Sequence, residues 1–309
     1  MIFTTKYLKG IPLKFHMIDV GEGLMVLVIF PNNMTMLYDC NITQERENYV
    51  IEELYKYIPT HAGERKIDIF VNSHRDKDHL CGLKAINENF PIQQIWDSGQ
   101  AGNGTGSKYY EYYMRLRLKV GCYEPKPSLN PVKCIGNVEV YCLSSSEHIL
   151  HNSMAGLLFE GLKKQHTNAI VLSVKYGKNS LLLTGDSDWY AWKKYIVPQF
   201  ERSGLLKSSI LVASHHGSRS FFTDEANDDI DFKRNPDTTY LDALKYISPS
   251  YTLISCGSYE QYHHPNRQAV SQYSRYTDEK RVYTTFDNGT FFGKLFADGE
   301  INLDNEKRS

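Results

Sequence analysis

Ile67-Asp68-Ile69-Phe70-Val71-Asn72-Ser73-His74-Arg75-Asp76-Lys77-Asp78-His79 is the stretch on which the fold of this chain turns. Its first part, Ile67 to Asn72, is a short apolar run of strand type, and Leu80, Leu83 and Ile86 follow at helical spacing from near Asp78. The H-x-D-x-D-H cluster therefore sits at a strand-to-helix junction. Two imidazoles and two carboxylates within six positions exceed what a turn needs in order to fold. Neutral imidazole and carboxylate are the nitrogen and oxygen donors suited to zinc, manganese or iron. A solvated turn, with Arg75 and Lys77 neutralising the aspartates, is the alternative, and it leaves the histidines without a role.

Three later segments have the same form, an apolar strand that ends in polar donors. Leu181-Leu182-Leu183-Thr184-Gly185 delivers Asp186, Ile210 to Ser214 delivers His215-His216-Gly217-Ser218, and Leu253-Ile254-Ser255-Cys256-Gly257 is followed by His263-His264-Pro265. Of the eleven histidines in the chain, six lie in these four segments, a concentration that scattered core histidines would not show.

Outward from these segments, strands dominate both halves. Leu13 to Val20, Leu24 to Phe30 and Met34 to Cys40 form a meander around the Pro31-Asn32-Asn33 turn. Val50, Leu54, Tyr57 and Ile58 predict a helix opened by Asn41 or Thr43. A glycine-rich loop, Gly99 to Ser107, precedes Tyr109, Tyr112, Tyr113 and Leu116 at helical spacing. Strands return at Val138 to Leu143, Asn168 to Tyr176 and Ser180 to Thr184, before a helix from Trp189 to Phe200 that Pro198 breaks or kinks. The last third reads as a strand at Ile210 to Ala213, a helix near Tyr240 to Ile247, a strand at Tyr251 to Ser255 and a helix from Arg267 to Tyr276. Three tail strands, Val282 to Phe286, Phe291 to Phe296 and Ile301 to Leu303, are expected to turn at Asn288-Gly289 and Asp298-Gly299, because such pairs accept the positive φ of tight hairpins. The pattern predicts two sheets with helices packed outside them.

Composition narrows the function. The 309 residues, 41% hydrophobic and 23% charged, are those of a folded globular protein. Lys and Arg number 35 against 36 Asp and Glu, so the chain has no global cationic field, and any polyanion must be held locally. The longest apolar run, Leu24 to Phe30, is far shorter than the roughly 18 residues of a membrane span. No secretory h-region follows Met1, which predicts a cytoplasmic protein without membrane insertion. The six cysteines contain no C-x-x-C pair and read as reduced thiols.

Taken in order, Asp19-Val20-Gly21-Glu22-Gly23, Ser73 to His79, Thr184-Gly185-Asp186, His215 to Ser218 and His264-Pro265 resemble the D-V-G-x-G, S-H-x-D-x-D-H, T-G-D, H-H-G-S and H-P motifs of the metallo-β-lactamase fold. Within that fold they are similar to the branch typified by the metallohydrolase domain of the DNA-uptake protein ComEC, here as a stand-alone soluble chain. The resemblance runs from about Phe15 to Leu303. It implies one α/β domain over residues 1–309, a four-layer αββα sandwich of two mixed β-sheets flanked by helices, with insertions near 99–130 and 219–239.

The resemblance also implies a centre for two divalent ions, zinc or manganese, with iron as a further candidate. His74 and Asp76 would hold one with a histidine of the His215-His216 pair, Asp78 and His79 the other with His264, and Asp186 would bridge them. His215 is preferred over His216, and His264 over His263 because Pro265 follows it. Asp39 would orient the histidines or simply end its strand. Asp78, His215, His216 and Asn168 are the candidate catalytic residues, Asn168 by touching substrate, while His166 reads as an exposed loop residue. Glu22 stands where the branch usually has Gln. The acidic segment from Phe221 to Thr239 has the composition of a solvated, disordered insertion, with a lid or a partner surface as the alternatives.

The expected chemistry is metal-assisted hydrolysis, and the resemblance implies a phosphodiester in DNA or RNA as substrate; Tyr109, Tyr110, Tyr112 and Tyr113 read either as stacking platforms for bases or, by their helical spacing, as core. A small phosphoester, ester or lactone is the second substrate class. The third reading is an effector subunit, as in a bacterial defence system, whose protein partner delivers the substrate.

Overall fold

The computed structural model describes residues 10–60, 63–99, 107–146, 166–259 and 263–307. Fifteen strands among these residues form two sheets. The first contains β1 (Leu13–Met17), β2 (Val26–Ile29), β3 (Thr35–Tyr38), β4 (Ile69–Asn72), β5 (Ile95–Asp97) and β6 (Cys122–Tyr123). The second contains β7 (Lys133–Ile135), β8 (Val138–Ser144), β9 (Val171–Tyr176), β10 (Asn179–Leu183), β11 (Ile210–Val212), β12 (Tyr251–Ile254) and β13 (Val282–Thr284). The chain then returns to the first sheet with β14 (Thr290–Leu295) and β15 (Ile301–Glu306), giving the orders β15-β14-β1-β2-β3-β4-β5-β6 and β13-β12-β11-β10-β9-β8-β7. In each sheet the antiparallel part gives way to a parallel part, β3 to β6 in one and β10 to β13 in the other.

Side-chain alternation along each strand builds the four layers. Val26 and Val28 of β2, with Leu181 and Leu183 of β10, enter one core between the sheets. Leu27 and Ile29 face outward against Val50 and Leu54 of the helix Glu47–Tyr57 and Leu83 and Ile86 of Leu83–Asn89. Leu182 faces the opposite way, onto Trp192, Phe200, Phe221 and Tyr273. The strands are thus apolar on both faces, as a doubly covered sheet demands. The result is an αββα sandwich of two mixed sheets.

Several local expectations are corrected. Asn288-Gly289 is not a hairpin, because β13 and β14 lie in different sheets; a short helix, Thr285–Asn288, ends there and Gly289 takes φ +79. Asp298-Gly299 does turn β14 into β15. The helix over Glu47–Tyr57 begins after Arg46 with no side-chain cap, so neither Asn41 nor Thr43 opens it. Between Trp189 and Phe200 the irregularity is a π turn over Trp192–Ile196, and Pro198 sits in the first turn of the segment beyond it, where its missing N–H costs nothing. The short strands β5, β6 and β7 carry no periodic signal in the sequence and come from tertiary pairing. Most of the glycine-rich loop, 100–106, lies outside the described residues. The acidic segment is knit by turns: Thr223 bridges Thr239, Arg219 donates to the carbonyls of Glu225 and Asp228, and Phe221 and Phe222 are buried.

Candidate metal centre

The donor-bearing segments that the sequence marks leave the carboxyl ends of parallel strands, the edge at which open α/β sheets present their loops to ligands. Asp39 follows β3, Ser73 to His79 follow β4, Asp186 follows β10 and His215-His216 follow β11. The two sheets are stitched there by Ile170 N, which donates to Ser73 O at 2.9 Å, and within the second sheet His215 N donates to Gly185 O at 3.0 Å. Gly185 is required at this contact. Its φ is +51, and a Cβ on it would lie 2.7 Å from Ser73 Cβ.

Asp186 stands at the middle, buried, and its two oxygens face different partners. Oδ1 lies 3.3 Å from His79 Nε2 and 3.8 Å from His216 Nε2. Oδ2 lies 3.7 Å from the Nε2 of both His74 and His215. Asp78 completes the first group at 3.4 Å from His216 Nε2 and 3.6 Å from His79 Nε2. Asp76 completes the second at 3.3 Å from His74 Nε2, and it draws in His166, whose Nε2 is 3.5 Å away.

Each of these rings is held from behind. His79 Nδ1 donates to Asp39 Oδ2 at 2.7 Å, and Asp39 also accepts from the backbone N–H and the hydroxyl of Ser73, each at 2.7 Å. Ser73 Oγ is 3.0 Å from His74 Nδ1, Ser220 Oγ is 2.7 Å from His215 Nδ1, and the Ser255 carbonyl is 3.1 Å from His216 Nδ1. Fixing Nδ1 leaves Nε2 as the inward-facing lone pair, the arrangement that outer partners of metal-binding histidines enforce. His215 and His216 both take left-handed backbone, φ +47 and +53, conformations costly for non-glycine residues that tend to persist at functional sites.

The electrostatics follow from this crowding. Burial works against the charge on Asp186, but His79, His215, His216 and His74 outweigh it and hold the carboxyl well below the usual range. Burial opposes the imidazolium of His79, and the Asp186, Asp39 and Asp78 carboxylates overcome it and raise the group. His166 is raised to about 9: burial opposes its charge, and the bond to Asp76 wins. His215 falls to about 3 through burial, with Asp186 pulling the other way.

These residues fit divalent cations on their own evidence. The Nε2 atoms of His74, His79 and His216 and Oδ1 of Asp186 are buried without a hydrogen-bond partner, a costly condition for a folded chain and one that a cation would relieve. Asp78, His79, Asp186 and His216 offer ligand atoms within 4.8 Å of one another, as do His74, His166 and Asp186. Nitrogen and carboxylate oxygen in this mixture suit zinc, manganese or iron.

The geometry rearranges the expected assignment. His216 stands beside Asp78 and His79 where the resemblance had put His264, and His215 stands on the His74 side. His264 is one ring further out, its centroid 5.6 Å from that of His215 and 6.3 Å from that of His216. His263 is exposed and packs near Tyr259. His166 is not an exposed loop residue: it opens the short 3₁₀ helix His166–Asn168 that carries Asn168, which is buried, against the site. The signal for His166 was its place before the Gly-Asp strand. Nothing in the sequence marks Ser220, Ser255 or Glu225, whose Oε1 lies 3.7 Å from His166 Nδ1, because their roles arise from contacts across the fold.

No family model matches the chain. Among curated proteins it is similar to competence protein ComA of Neisseria gonorrhoeae, 27% identical over 275 residues, which are 89% of this chain and 31% of that protein. It is also similar to recombination protein 2 of Haemophilus influenzae, 22% identical over 261 residues, 84% of this chain and 26% of that one. The chain thus spans about a quarter to a third of the length of these relatives. Among solved structures, CmlA, a diiron β-hydroxylase from Streptomyces venezuelae, superposes with a TM-score of 0.52 at 13% identity, over 92% of this chain and 55% of that one. No helix among the described residues is long and apolar enough to cross a membrane. With its two mixed sheets, outer helices and donors gathered at one strand-end edge, the chain has the metallo-β-lactamase fold.

Proposed function

We propose that this chain is a metal-dependent hydrolase of phosphodiesters, acting through a pair of divalent ions held by two donor groups that share Asp186. The observation that carries this reading is the division of the Asp186 carboxylate, one oxygen toward His79 and His216 and the other toward His74 and His215. Asp78, His79 and His216 would hold one ion, and His74, Asp76 and His166 the other. When bound, such a pair polarises an ester oxygen and lowers the pKa of water from 15.7 to about 7.

The chain's own residues supply the rest. Asp39 and Ser73 keep His79 and His74 in the tautomer that turns Nε2 inward. Asp186 sets the spacing of the two groups. Asp76 and Asp78 are the least buried members, and Asp78, with His215, His216 and His264, lines a cavity of about 610 Å³. Burial keeps His215 neutral at pH 7, so its ring can accept a hydrogen bond from an incoming group. Asn168 remains the candidate substrate contact from the His166–Asn168 turn.

Similarity to recombination protein 2 over 84% of this chain supports a nucleic-acid phosphodiester over a small ester or lactone. Likeness to a diiron enzyme keeps iron beside zinc and manganese. The test is metal content after gentle purification, with zinc, manganese and iron all measured, together with turnover of bis(p-nitrophenyl) phosphate by the wild type and by Asp78→Ala and His79→Ala variants. Loss of both metal and turnover is expected; retained turnover in either variant refutes the site.

A further inference from the structure

The cavity at the metal centre does not end there. A second cavity, of about 600 Å³, shares Ile42, Gln44, Cys81 and Tyr109 with it, so the two form one groove bent around the Tyr109 ring. The near part carries Glu22, Glu45, Asp78 and Lys77, and the far part Glu47, Glu88, Lys84 and Lys108. Two ammonium groups flank the tyrosine, with Lys108 Nζ 5.0 Å and Lys77 Nζ 5.9 Å from its ring centroid.

The other tyrosines named on the helix Lys108–Val120 that carries Tyr109 are committed elsewhere. Tyr113 is buried and bonds Asp97, Tyr110 accepts from Arg75 Nη1 at 3.1 Å, and Tyr112 accepts from Asn87 at 3.1 Å. Tyr109 alone of the four lines both cavities.

We infer that this groove is a subsite for single-stranded nucleic acid, in which Tyr109 stacks an unpaired base next to the scissile phosphate and Lys77 and Lys108 contact the flanking phosphates. The inference rests on the phosphodiesterase reading and adds the substrate's strandedness. Its physical basis is the balance of charge. Along the groove carboxylates match or outnumber ammonium groups, so the protein lacks the field to hold a duplex, which carries a charge about every 1.7 Å. An aromatic face offers a second source of affinity, and only an unpaired base can use it.

The test is fluorescence anisotropy of the purified chain with a labelled, phosphorothioate-linked oligothymidylate, the matching oligouridylate, and a duplex. The single strands are expected to bind about tenfold or more tighter than the duplex. Tyr109→Ala should weaken the single strands about tenfold or more, and Tyr109→Phe should keep wild-type affinity. The salt dependence should be shallow, with a slope no steeper than about −1.4, as for two phosphate contacts. The two strands separate DNA from RNA preference, and tight binding of either one supports the subsite. Equal affinity for duplex and single strand, no effect of Tyr109→Ala, or an equal loss in Tyr109→Phe overturns it. Turnover of bis(p-nitrophenyl) phosphate is scored separately. Turnover without Tyr109-dependent binding sinks the groove and leaves the hydrolase. Binding without turnover of any diester does the reverse.

Discussion

Replacing Asp39 by Asn exchanges one carboxylate oxygen for an amide NH₂ and removes the negative charge, and should loosen the metal centre without unfolding the chain. Asp39 is fully buried and accepts three bonds of 2.7 Å, two from Ser73 and one from His79 Nδ1. Its φ of +56 is one that Asn tolerates as well as Asp, so the backbone need not move. If the Asn oxygen stays on the Ser73 N–H, its amide N–H₂ faces His79 Nδ1. That ring must then move its own proton to Nε2, and the inward lone pair is lost. Outer partners of this kind are worth about 10- to 100-fold in metal affinity. At a free metal concentration about 100 times the wild-type Kd, binding stabilises the fold by about 2.7 kcal/mol. A hundredfold weaker variant at that concentration keeps only about 0.4 kcal/mol. At roughly 2–4 °C per kcal/mol for a large domain, the metal-dependent rise in Tm should shrink from about 5–11 °C to about 1–2 °C. Thermal melts with and without chelator, beside a zinc titration against a competing dye, measure both quantities. If the variant binds zinc as the wild type does and keeps its full metal-dependent rise, Asp39 does not set the tautomer of His79.

Three other outcomes are expected. His166→Ala should remove about one of two bound ions, read by elemental analysis of the purified protein, because only the His74 group loses a ligand; unchanged stoichiometry would put His166 outside the centre. Ser220→Ala frees His215 Nδ1 and should lower kcat for a chromogenic diester with metal content kept, and an unaltered kcat would deny His215 a part in turnover. His16 is buried and stacks on Tyr57 at 3.8 Å, and burial, with Lys14 adding to it, lowers its pKa from 6.5 to about 3. The folded state therefore prefers the neutral ring, so this contribution is complete above pH 6.5 and is lost as the pH falls toward 3. At pH 5 the loss is about 2 kcal/mol, at roughly 1.4 kcal/mol per unit. Urea unfolding at pH 7 and pH 5 should show that much less acid sensitivity in His16→Phe than in wild type, and equal sensitivity would mean that the ring is protonated without cost.

Much of the candidate site was legible along the chain because its donors are local. His74 to His79 lie within one turn of the backbone after β4, and strand ends announce Asp186 and the His215-His216 pair through apolar runs that stop at polar residues. Other elements were legible too: the helix over Arg267–Tyr276 from its helical spacing, and the strands around Leu181 and Leu211 from unbroken apolar runs. Short strands such as β5 and β6 carry none, since two or three residues cannot hold a period, and only their neighbours in the sheet define them.

Sequence by itself determined which chemical groups this protein owns and at which strand ends they are released, because donor identity and apolar patterning are properties of single segments. Which histidine meets which carboxylate was left to the tertiary structure. His166 comes to lie beside Asp76 because the turn before β9 is bonded to Ser73 on the other sheet, and His216, rather than His264, stands beside Asp78 because β11 brings consecutive left-handed residues up against Asp186. Angles of a few tens of degrees at Gly185, His215 and His216 decide those pairings, and such angles are set only when the two sheets close on their common core.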